Sequence, residues 1–308
     1  MRNNTVLKRF MNAFWLRPEN AIILAMRSER LKEMTIKAPA IDISCGDGIF
    51  TFIHFGGELN KEFDVFQSTG DLNKVRNTNL DIYDSYDSSY SPCIKTKANF
   101  QYDIGTDLKQ SSLNRAKHLG HYKDLNLLNV CNRFPFPDKA FATVTSFGSI
   151  NHYPSIDIFL SECYRILKPG GQLILNAYSP NMIDLYKHLE QKYPDEWIKL
   201  IERNMRNIWP TMHSSEEWLR ILESYGFQIN SQKAVCNDEL AKIWNVGLRP
   251  LTSELVKLSK IAIKYQEKEF IKIKQSWVEL MMQLSQPFMY NSENMDSATD
   301  YLFSAIKI

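Results

Sequence analysis

Short apolar, strand-like runs alternate with helical segments from about residue 39 to residue 235, and this alternation constrains the fold most. Helical spacing of apolar residues separates the runs, as in IDIFLSECYRIL (156–167). The runs are PAIDIS (39–44), FQYDIGTD (100–107), ATVTSF (142–147), QLILNAY (172–178) and FQINSQKAV (227–235). Strands that alternate with helices predict an α/β fold with a mostly parallel sheet.

Start and stop signals locate two of the helices. IFTFIHF (49–55) is predicted to be a helix that ends at the glycine pair 56–57. SSEEWLRILESY (214–225) carries the capping-box pattern, with Ser214 followed three residues later by Glu217. These signals predict that the helices end close to the neighbouring strands.

Composition narrows the class of protein. The 308 residues are 44% hydrophobic and carry a net charge of +2, so no strong attraction to nucleic acid or to a membrane is indicated. The five cysteines are scattered without a CxxC motif, which argues against a disulfide framework, a zinc site or an iron–sulfur site. AIILAM (21–26) is too short to span a bilayer. We therefore expect a cytoplasmic protein without a nucleic-acid or membrane partner; its oligomeric state stays open.

The order of segments predicts a core with three additions. Residues 1–35 are expected to form an N-terminal helical lid, and residues 36–235 with 301–308 the core. Residues 58–99 interrupt the core and include DIYDSYDSSYSP (81–92), which is either a surface insertion or an ordered lid over the site. Residues 236–300 have helical spacing and are expected to form a cap inserted before a last strand.

Three chemically suggestive segments follow predicted strands, where α/β sheets bind ligands. DISCGDG (42–48) combines small residues that allow a sharp turn with the start of a helix. GTDL (105–108) places Asp107 at a strand end, where a carboxylate can accept both hydroxyls of a ribose. NRFPFPDKAF (132–141) is a proline-rich loop before a buried strand.

In this order the segments resemble the class I S-adenosylmethionine-dependent methyltransferases, particularly the type 11 group. IDISCGDGIF (41–50) is similar to the first motif of that family, and FPFPDKAFATVTS to a later one. The most specific likeness is ECYRILKPGGQLIL (162–175), with EEWLRILESYGFQI (216–229) next. The resemblance implies a Rossmann-like, doubly wound, seven-stranded sheet whose last strand is reversed, and S-adenosyl-L-methionine as the cofactor.

The resemblance also implies which residues hold the cofactor. Asp42, Ser44, Gly46 and Gly48 would form the loop on the methionine side, and Asp107 would bind the ribose. The other expected contacts come from Arg17, Leu108, Asn129, Val130, Cys131 and Phe147. No metal site is expected.

Three features depart from the family pattern. Ser44 occupies the position of a glycine, and Val130 replaces an aspartate that often binds the adenine amino group, so that contact would come from the backbone or from Asn129. Asp42 and Asp107 are 65 residues apart, against about 20 in dinucleotide-binding folds, so the insertion must loop out between them.

The segment SINHYP (149–154) lies where the family often places residues that face the substrate. His152 is the candidate base or orienting residue, with Tyr153 beside it; the alternative is a structural histidine that caps the next turn. Arg17 could pair with the cofactor carboxylate or with an acidic substrate, or could be a solvated arginine. Arg249 could face the cleft from the cap.

The leading hypothesis is an enzyme that methylates a small molecule or a carrier-linked metabolite. The alternatives are a non-catalytic binding or scaffold protein with the same fold, an RNA or protein methyltransferase, and a nicotinamide-dependent dehydrogenase. The near-neutral charge and the lack of an NPPY-type motif argue against RNA and amino-group substrates. The KPGG turn and the FPFPD segment argue against a dehydrogenase.

Overall fold

A seven-stranded sheet forms the centre of the computed structural model, which describes residues 5–70, 84–202, 210–246, 251–265, 267–289 and 294–308. Its strands are β1 (Ala40–Ile43), β4 (Tyr102–Asp107), β5 (Tyr122–Leu127), β6 (Phe141–Ser146), β7 (Leu167–Tyr178), β8 (Phe227–Asn237) and β9 (Ala298–Lys307). The order across the sheet is β5-β4-β1-β6-β7-β9-β8, and β9 is antiparallel to both of its neighbours. The predicted doubly wound sheet with a reversed last strand is confirmed.

Helices cover both faces of this sheet. They are α1 (Thr5–Ala13), α2 (Pro18–Leu31), α3 (Ile49–His54), α4 (Gln110–Lys117), α5 (Asp157–Ile166), α6 (Asn181–Glu190), α7 (Asp195–Glu202), α8 (Ser215–Ser224), α9 (Asp238–Val246), α10 (Thr252–Tyr265) and α11 (Glu267–Met289). Among the described helices, none combines the length and the apolar character needed to cross a membrane.

The hydrophobic core has two layers, one on each face of the sheet. Ile174 of β7 packs with the N-terminal helices, whereas its neighbours Leu173 and Leu175 pack with α5 and α8 on the other face. Successive side chains of a strand point to opposite faces, so a strand covered on both sides is apolar nearly throughout. This is why β7 has the continuous apolar sequence LIL at residues 173–175.

Most predicted element boundaries agree with the structure to within a few residues. Helix α3 ends before Gly56, and α8 has both halves of the predicted capping box between Ser214 and Glu217. The start of the last strand was predicted wrongly. It begins at Ala298 rather than at residue 301, because Ala298 and Asp300 continue the ladder with the end of β8.

The two ends of the insertion (residues 58–99) pair with each other. Strand β2 (Glu58–Leu59) pairs antiparallel with β3 (Ile94–Thr96), and the Asn99 backbone N–H donates to the Phe55 carbonyl at 2.8 Å. The chain therefore leaves and re-enters the core at nearly the same place, which explains how the long spacing between Asp42 and Asp107 is accommodated. Residues 71–83 of the insertion lie outside the described ranges.

The buried carboxylate of Asp64 joins the N-terminal helices, the insertion and the cap. It accepts hydrogen bonds from Trp15 Nε1 at 2.8 Å and from Ser259 Oγ of α10, and its other oxygen caps the turn 65–68 through Phe66 N–H. Nearby, the buried Lys274 of α11 donates to the Lys61 carbonyl at 2.9 Å. These three additions form one outer layer.

Candidate functional site

The loop 44–48 lies where β1, β4 and β6 end, at the carboxyl edge of the sheet. Two backbone hydrogen bonds attach it to β4. The Cys45 N–H donates to the Thr106 carbonyl at 2.8 Å, and the Gly46 N–H donates to Asp107 Oδ2 at 3.0 Å. The first and second predicted motifs are therefore brought together, at the edge where such sheets bind ligands.

Gly46 and Gly48 of this loop lack a side chain for different structural reasons. Both have positive φ, +59° at Gly46 and +73° at Gly48. A Cβ added at Gly46 would meet no atom within 4 Å, so the backbone there borders open space. A Cβ at Gly48 would lie 2.9 Å from the ring of Tyr122. Gly46 therefore leaves room for a ligand, and Gly48 leaves room for a tyrosine of the core.

Ser44 also has a positive φ, +56°, a conformation that glycine adopts more easily. Its Oγ lies 2.8 Å from the hydroxyl of Tyr153, which is also within 3.3 Å of Ser146 Oγ and Ser149 Oγ. Burial raises the pKa of Tyr153 to about 12, so it stays a neutral phenol. The predicted catalytic neighbour Tyr153 instead holds the loop through Ser44.

Asp42 lies beneath the loop rather than in it. Its side chain is 2% exposed, and its two oxygens accept from Thr145 Oγ1 and from the hydroxyl of Tyr122, each at 2.8 Å. Burial raises the pKa of Asp42 to about 7. The expectation that Asp42 contacts the cofactor is corrected in this respect: its carboxylate is enclosed by the core.

Asp107 is half-buried beside the loop. Its Oδ1 accepts from Lys109 N–H at 2.8 Å while its Oδ2 accepts from Gly46, and burial raises its pKa. Each carboxylate oxygen has two lone pairs, so both can accept a further hydrogen bond. Leu108, the next residue, is 61% exposed.

The segment after β5 was predicted to flank the adenine. The Val130 side chain is buried in the core instead, because it packs with the cluster around Ile43 and Phe134. Asn129 is exposed, and its Oδ1 accepts from the Cys131 N–H at 2.9 Å, which forms a local turn. Among the predicted residues here, Asn129 and the partly buried Cys131 remain able to face a ligand.

The insertion packs against the residues that follow Asp107. Lys109 forms an ion pair with Asp84 at 2.9 Å, and Arg115 Nε of α4 donates to Ser68 Oγ at 3.0 Å. The Arg115 guanidinium also lies over the ring of Tyr86. The described part of the insertion therefore lies against Lys109 and α4; whether it acts as a lid stays a prediction.

A second group of side chains, one of which is Arg27 of α2, lies beyond the end of β6. The ring of Phe147 is 5.1 Å from that of Phe50, and Arg27 lies over Phe50 at 5.6 Å. Arg27 Nη2 donates to Asp300 Oδ2 at 2.8 Å. Asn176 Nδ2 also donates to Asp300. We call Arg27, Asn176 and Asp300 the Arg27 cluster.

Two other predicted residues lie elsewhere. Arg17 is buried and binds Glu19 and Thr252 Oγ1, the latter at 2.9 Å, so the solvated alternative is wrong and the pairing with a cofactor carboxylate stays a prediction. His152 ends a short helical turn (Ile150–His152), and its side chain is exposed. Arg249 lies outside the described residues.

Arg27, Asn176, Asp300 and Tyr122 are not among the site residues predicted from the sequence. Arg27 follows the apolar run AIILAM, so a charge within a buried helix was a usable signal. Asp300, within the last strand, likewise directly precedes the apolar run YLFSAIKI (301–308). Their pairing joins residues 273 positions apart and could not be read from local spacing.

The fold and the site together define a class. The strand order, the reversed β9 and a glycine loop joined to an aspartate at the end of β4 are the features of the class I methyltransferase fold expected above. A family model described as "Methyltransferase domain" matches residues 91–175. The matched segment, which is similar to that family, contains Asp107 and the KPGG turn but not the loop 44–48.

Similar curated proteins are methyltransferases. The chain is 41% identical over 83 residues to a demethylmenaquinone methyltransferase of Symbiobacterium thermophilum, which is 25% of this chain and 33% of that protein. It is 27% identical over 119 residues to the mitochondrial 2-methoxy-6-polyprenyl-1,4-benzoquinol methylase of Gallus gallus, 38% of each chain. The matches span about a third of the length of these relatives.

Solved structures with similar folds include a geranyl diphosphate C-methyltransferase from Streptomyces coelicolor A3(2), with 13% identity and a TM-score of 0.46. The alignment covers 95% of this chain and 84% of that one.

Proposed function

We propose that the protein transfers a methyl group from S-adenosylmethionine to a small-molecule or carrier-linked acceptor. The observation that carries the proposal is the loop 44–48, whose backbone is open at Gly46 and bound at the same residue to Asp107. Open backbone beside a carboxylate at the carboxyl edge of an α/β sheet suits a ligand that carries a ribose.

The residues present fit this cofactor. Asp107 has lone pairs for two ribose hydroxyls, because each oxygen now accepts one backbone hydrogen bond. The exposed Leu108 offers an apolar surface for the adenine, and the space beside Gly46 suits the methionine part. Ser44 does not oppose this fit, since its hydroxyl is turned to Tyr153.

The cofactor supplies, when bound, a methyl group already activated on a sulfonium. The chain must therefore mainly hold the acceptor in line with that methyl group and exclude water. The insertion supports this role because its ion pair between Asp84 and Lys109 fastens it beside Asp107. His152 remains the predicted base for acceptors that arrive protonated.

A small apolar acceptor is supported by two observations. Phe50 and Phe147 present aromatic rings at the end of β6, beside the cofactor loop. The names of the relatives refer to small apolar molecules, a menaquinone precursor and a polyprenyl benzoquinol.

The five cysteines are all free, which supports the cytoplasmic location we propose.

Titration calorimetry with S-adenosylmethionine and S-adenosylhomocysteine tests the proposal. We expect the native chain to bind both, and Asp107→Ala to weaken binding by about tenfold or more, the value of one or two hydrogen bonds to a charged group. Asp124→Ala, which removes an exposed aspartate of β5, is the control and should bind like the native chain. Absence of binding by the native chain would sink the proposal, and unchanged affinity in Asp107→Ala would refute the ribose assignment.

A further inference from the structure

Tyr153 lies at a hydrogen-bonded junction of three segments. Its hydroxyl is 2.8 Å from Ser44 Oγ of the loop 44–48, 3.3 Å from Ser146 Oγ at the end of β6 and 3.2 Å from Ser149 Oγ. A phenol hydroxyl has one proton to donate and oxygen lone pairs to accept. The three serine oxygens occupy this capacity, and Tyr153 is only 5% exposed. Its hydroxyl is therefore placed to hold protein groups rather than to react with an acceptor.

The side chain of Tyr153 is fixed by contacts that do not involve the loop. Its carbonyl accepts from Thr211 Oγ1 at 2.8 Å, and its N–H donates to the Ile150 carbonyl at 3.1 Å. Its ring packs on the buried Phe159 of α5, with 5.1 Å between the ring centroids. Packing of this kind holds a side chain in one rotamer. The Tyr153 hydroxyl is thus a fixed point to which Ser44 is attached.

Ser44 needs such a fixed point because of its backbone conformation. Its φ of +56° lies in the left-handed region, which glycine adopts without strain and serine does not. The next two N–H groups along the chain both donate to β4, and that of Gly46 binds Asp107. A relaxation of Ser44 to a negative φ would turn both N–H groups away from β4. It would also move Gly46, whose open backbone is the proposed place of the methionine part.

We propose that Tyr153 is a positioning residue for the cofactor, because its hydroxyl holds Ser44 in the left-handed conformation and so keeps the loop 44–48 in the form that binds S-adenosylmethionine. This inference rests on the proposed function, since it takes the loop as the methionine side of the site. It gives Tyr153 an effect on cofactor affinity without contact with the cofactor. A glycine at residue 44 would need no such support; here a serine and a tyrosine together replace it.

A double-mutant cycle in S-adenosylhomocysteine affinity tests this role. Titration calorimetry is carried out on the full chain with Tyr153→Phe, with Ser44→Gly and with both. When residue 44 is serine, Tyr153→Phe should weaken binding by about fivefold or more, the value of one buried hydrogen bond. When residue 44 is glycine, the same change should alter affinity by less than about twofold, because glycine keeps a positive φ unaided.

Two results of the cycle would overturn the inference. If Tyr153→Phe binds S-adenosylhomocysteine as tightly as the native chain, the hydroxyl does not support the binding form of the loop. If Tyr153→Phe weakens binding by the same factor with serine and with glycine at residue 44, Tyr153 acts on the cofactor directly or through the whole fold, and not through Ser44.

Ser44→Ala removes the same hydrogen bond from the other side and leaves Tyr153 in place. Alanine keeps the strain of the positive φ without the bond that offsets it. Ser44→Ala should therefore bind S-adenosylhomocysteine at least about fivefold more weakly than Ser44→Gly. Equal affinity of these two variants would refute the inference independently of how Tyr153→Phe behaves.

Tyr186→Phe is the matched control for the loss of a buried tyrosine hydroxyl. Tyr186 is 1% exposed, belongs to a separate hydrophobic cluster and donates its hydroxyl to Asn245 of α9. Tyr186→Phe and Tyr153→Phe should both unfold cooperatively in urea, and only Tyr153→Phe should lose affinity for S-adenosylhomocysteine. An equal loss in Tyr186→Phe would mean that any buried tyrosine hydroxyl has this effect, and the inference would fail.

The proposed function and the role of Tyr153 fail in different ways. If the native chain does not bind S-adenosylhomocysteine, the proposed function fails. If the native chain binds it and the effect of Tyr153→Phe does not depend on residue 44, only the positioning role fails.

Discussion

The buried carboxyl group of Asp42 should make the stability of the protein depend on pH. Burial raises its pKa to about 7, from the usual 3.8 of an aspartate. The folded state therefore keeps this proton at pH values where the unfolded chain has lost it. From about pH 4 to about pH 7 the free energy of unfolding should fall as the pH rises, by about 1.4 kcal/mol per pH unit and about 4 kcal/mol in all from this group.

The substitution Asp42→Asn isolates this effect. An amide cannot ionise, and its oxygen can still accept from Thr145 Oγ1, the 2.8 Å partner of Asp42 Oδ1. Other titrating groups contribute alike to both proteins, so they largely cancel in the difference between them. We expect the stability of Asp42→Asn relative to the native chain to increase by about 3 kcal/mol between pH 5 and pH 7 and then to level off.

Urea unfolding followed by circular dichroism at half-unit pH steps measures this difference. The matched control is Asp103→Asn on the neighbouring strand β4, because Asp103 is more exposed and its pKa is lowered rather than raised. Its difference from the native chain should be flat over the same range. A flat difference for Asp42→Asn as well would refute the reasoning that burial keeps Asp42 protonated.

Five further substitutions test the loop and His152. Ser44→Ala and Ser44→Gly both lose the bond to Tyr153, but only alanine is strained by the positive φ, so Ser44→Ala should be less stable than Ser44→Gly by about 1–2 kcal/mol in urea unfolding; equal stability would contradict this. Gly48→Ala should lower the free energy of unfolding by about 1–3 kcal/mol more than Gly46→Ala, because its Cβ meets Tyr122, whereas Gly46→Ala should be the more harmful to S-adenosylmethionine affinity. His152→Ala should lower turnover by about tenfold or more, once an acceptor is known, with cofactor affinity unchanged; native turnover would remove His152 from the site.

The contact between the loop 44–48 and Asp107 could be predicted because both lie in short local motifs. A glycine loop after an apolar run and an aspartate at the next strand end fix the loop 44–48 and Asp107 without knowledge of distant contacts. Ser44 departs from the family pattern, and its sequence neighbours do not explain why. The structure explains it, because the segment after β6 places the Tyr153 hydroxyl beside Ser44 Oγ.

The Arg27 cluster could not be predicted in the same way. Arg27, Asn176 and Asp300 come from a helix and two strands far apart in sequence, and none of them belongs to a recognisable motif. The start of β9 at Ala298 was missed for a related reason. The polar sequence SATD (297–300) does not suggest a buried strand, and Asp300 is tolerated there because Arg27 and Asn176 bind it.

The contacts of Asp64 have a consequence for the order in which the molecule is completed. During synthesis the N-terminal helices emerge first, but Ser259, which shares Asp64 with Trp15, lies 195 residues after that aspartate. Arg27 must wait still longer, 273 residues, for Asp300. In the nascent chain Asp64 therefore lacks its partner Ser259, and Arg27 its partner Asp300, until those residues have been made. The N-terminal helices can reach their final packing only after β9 has been made.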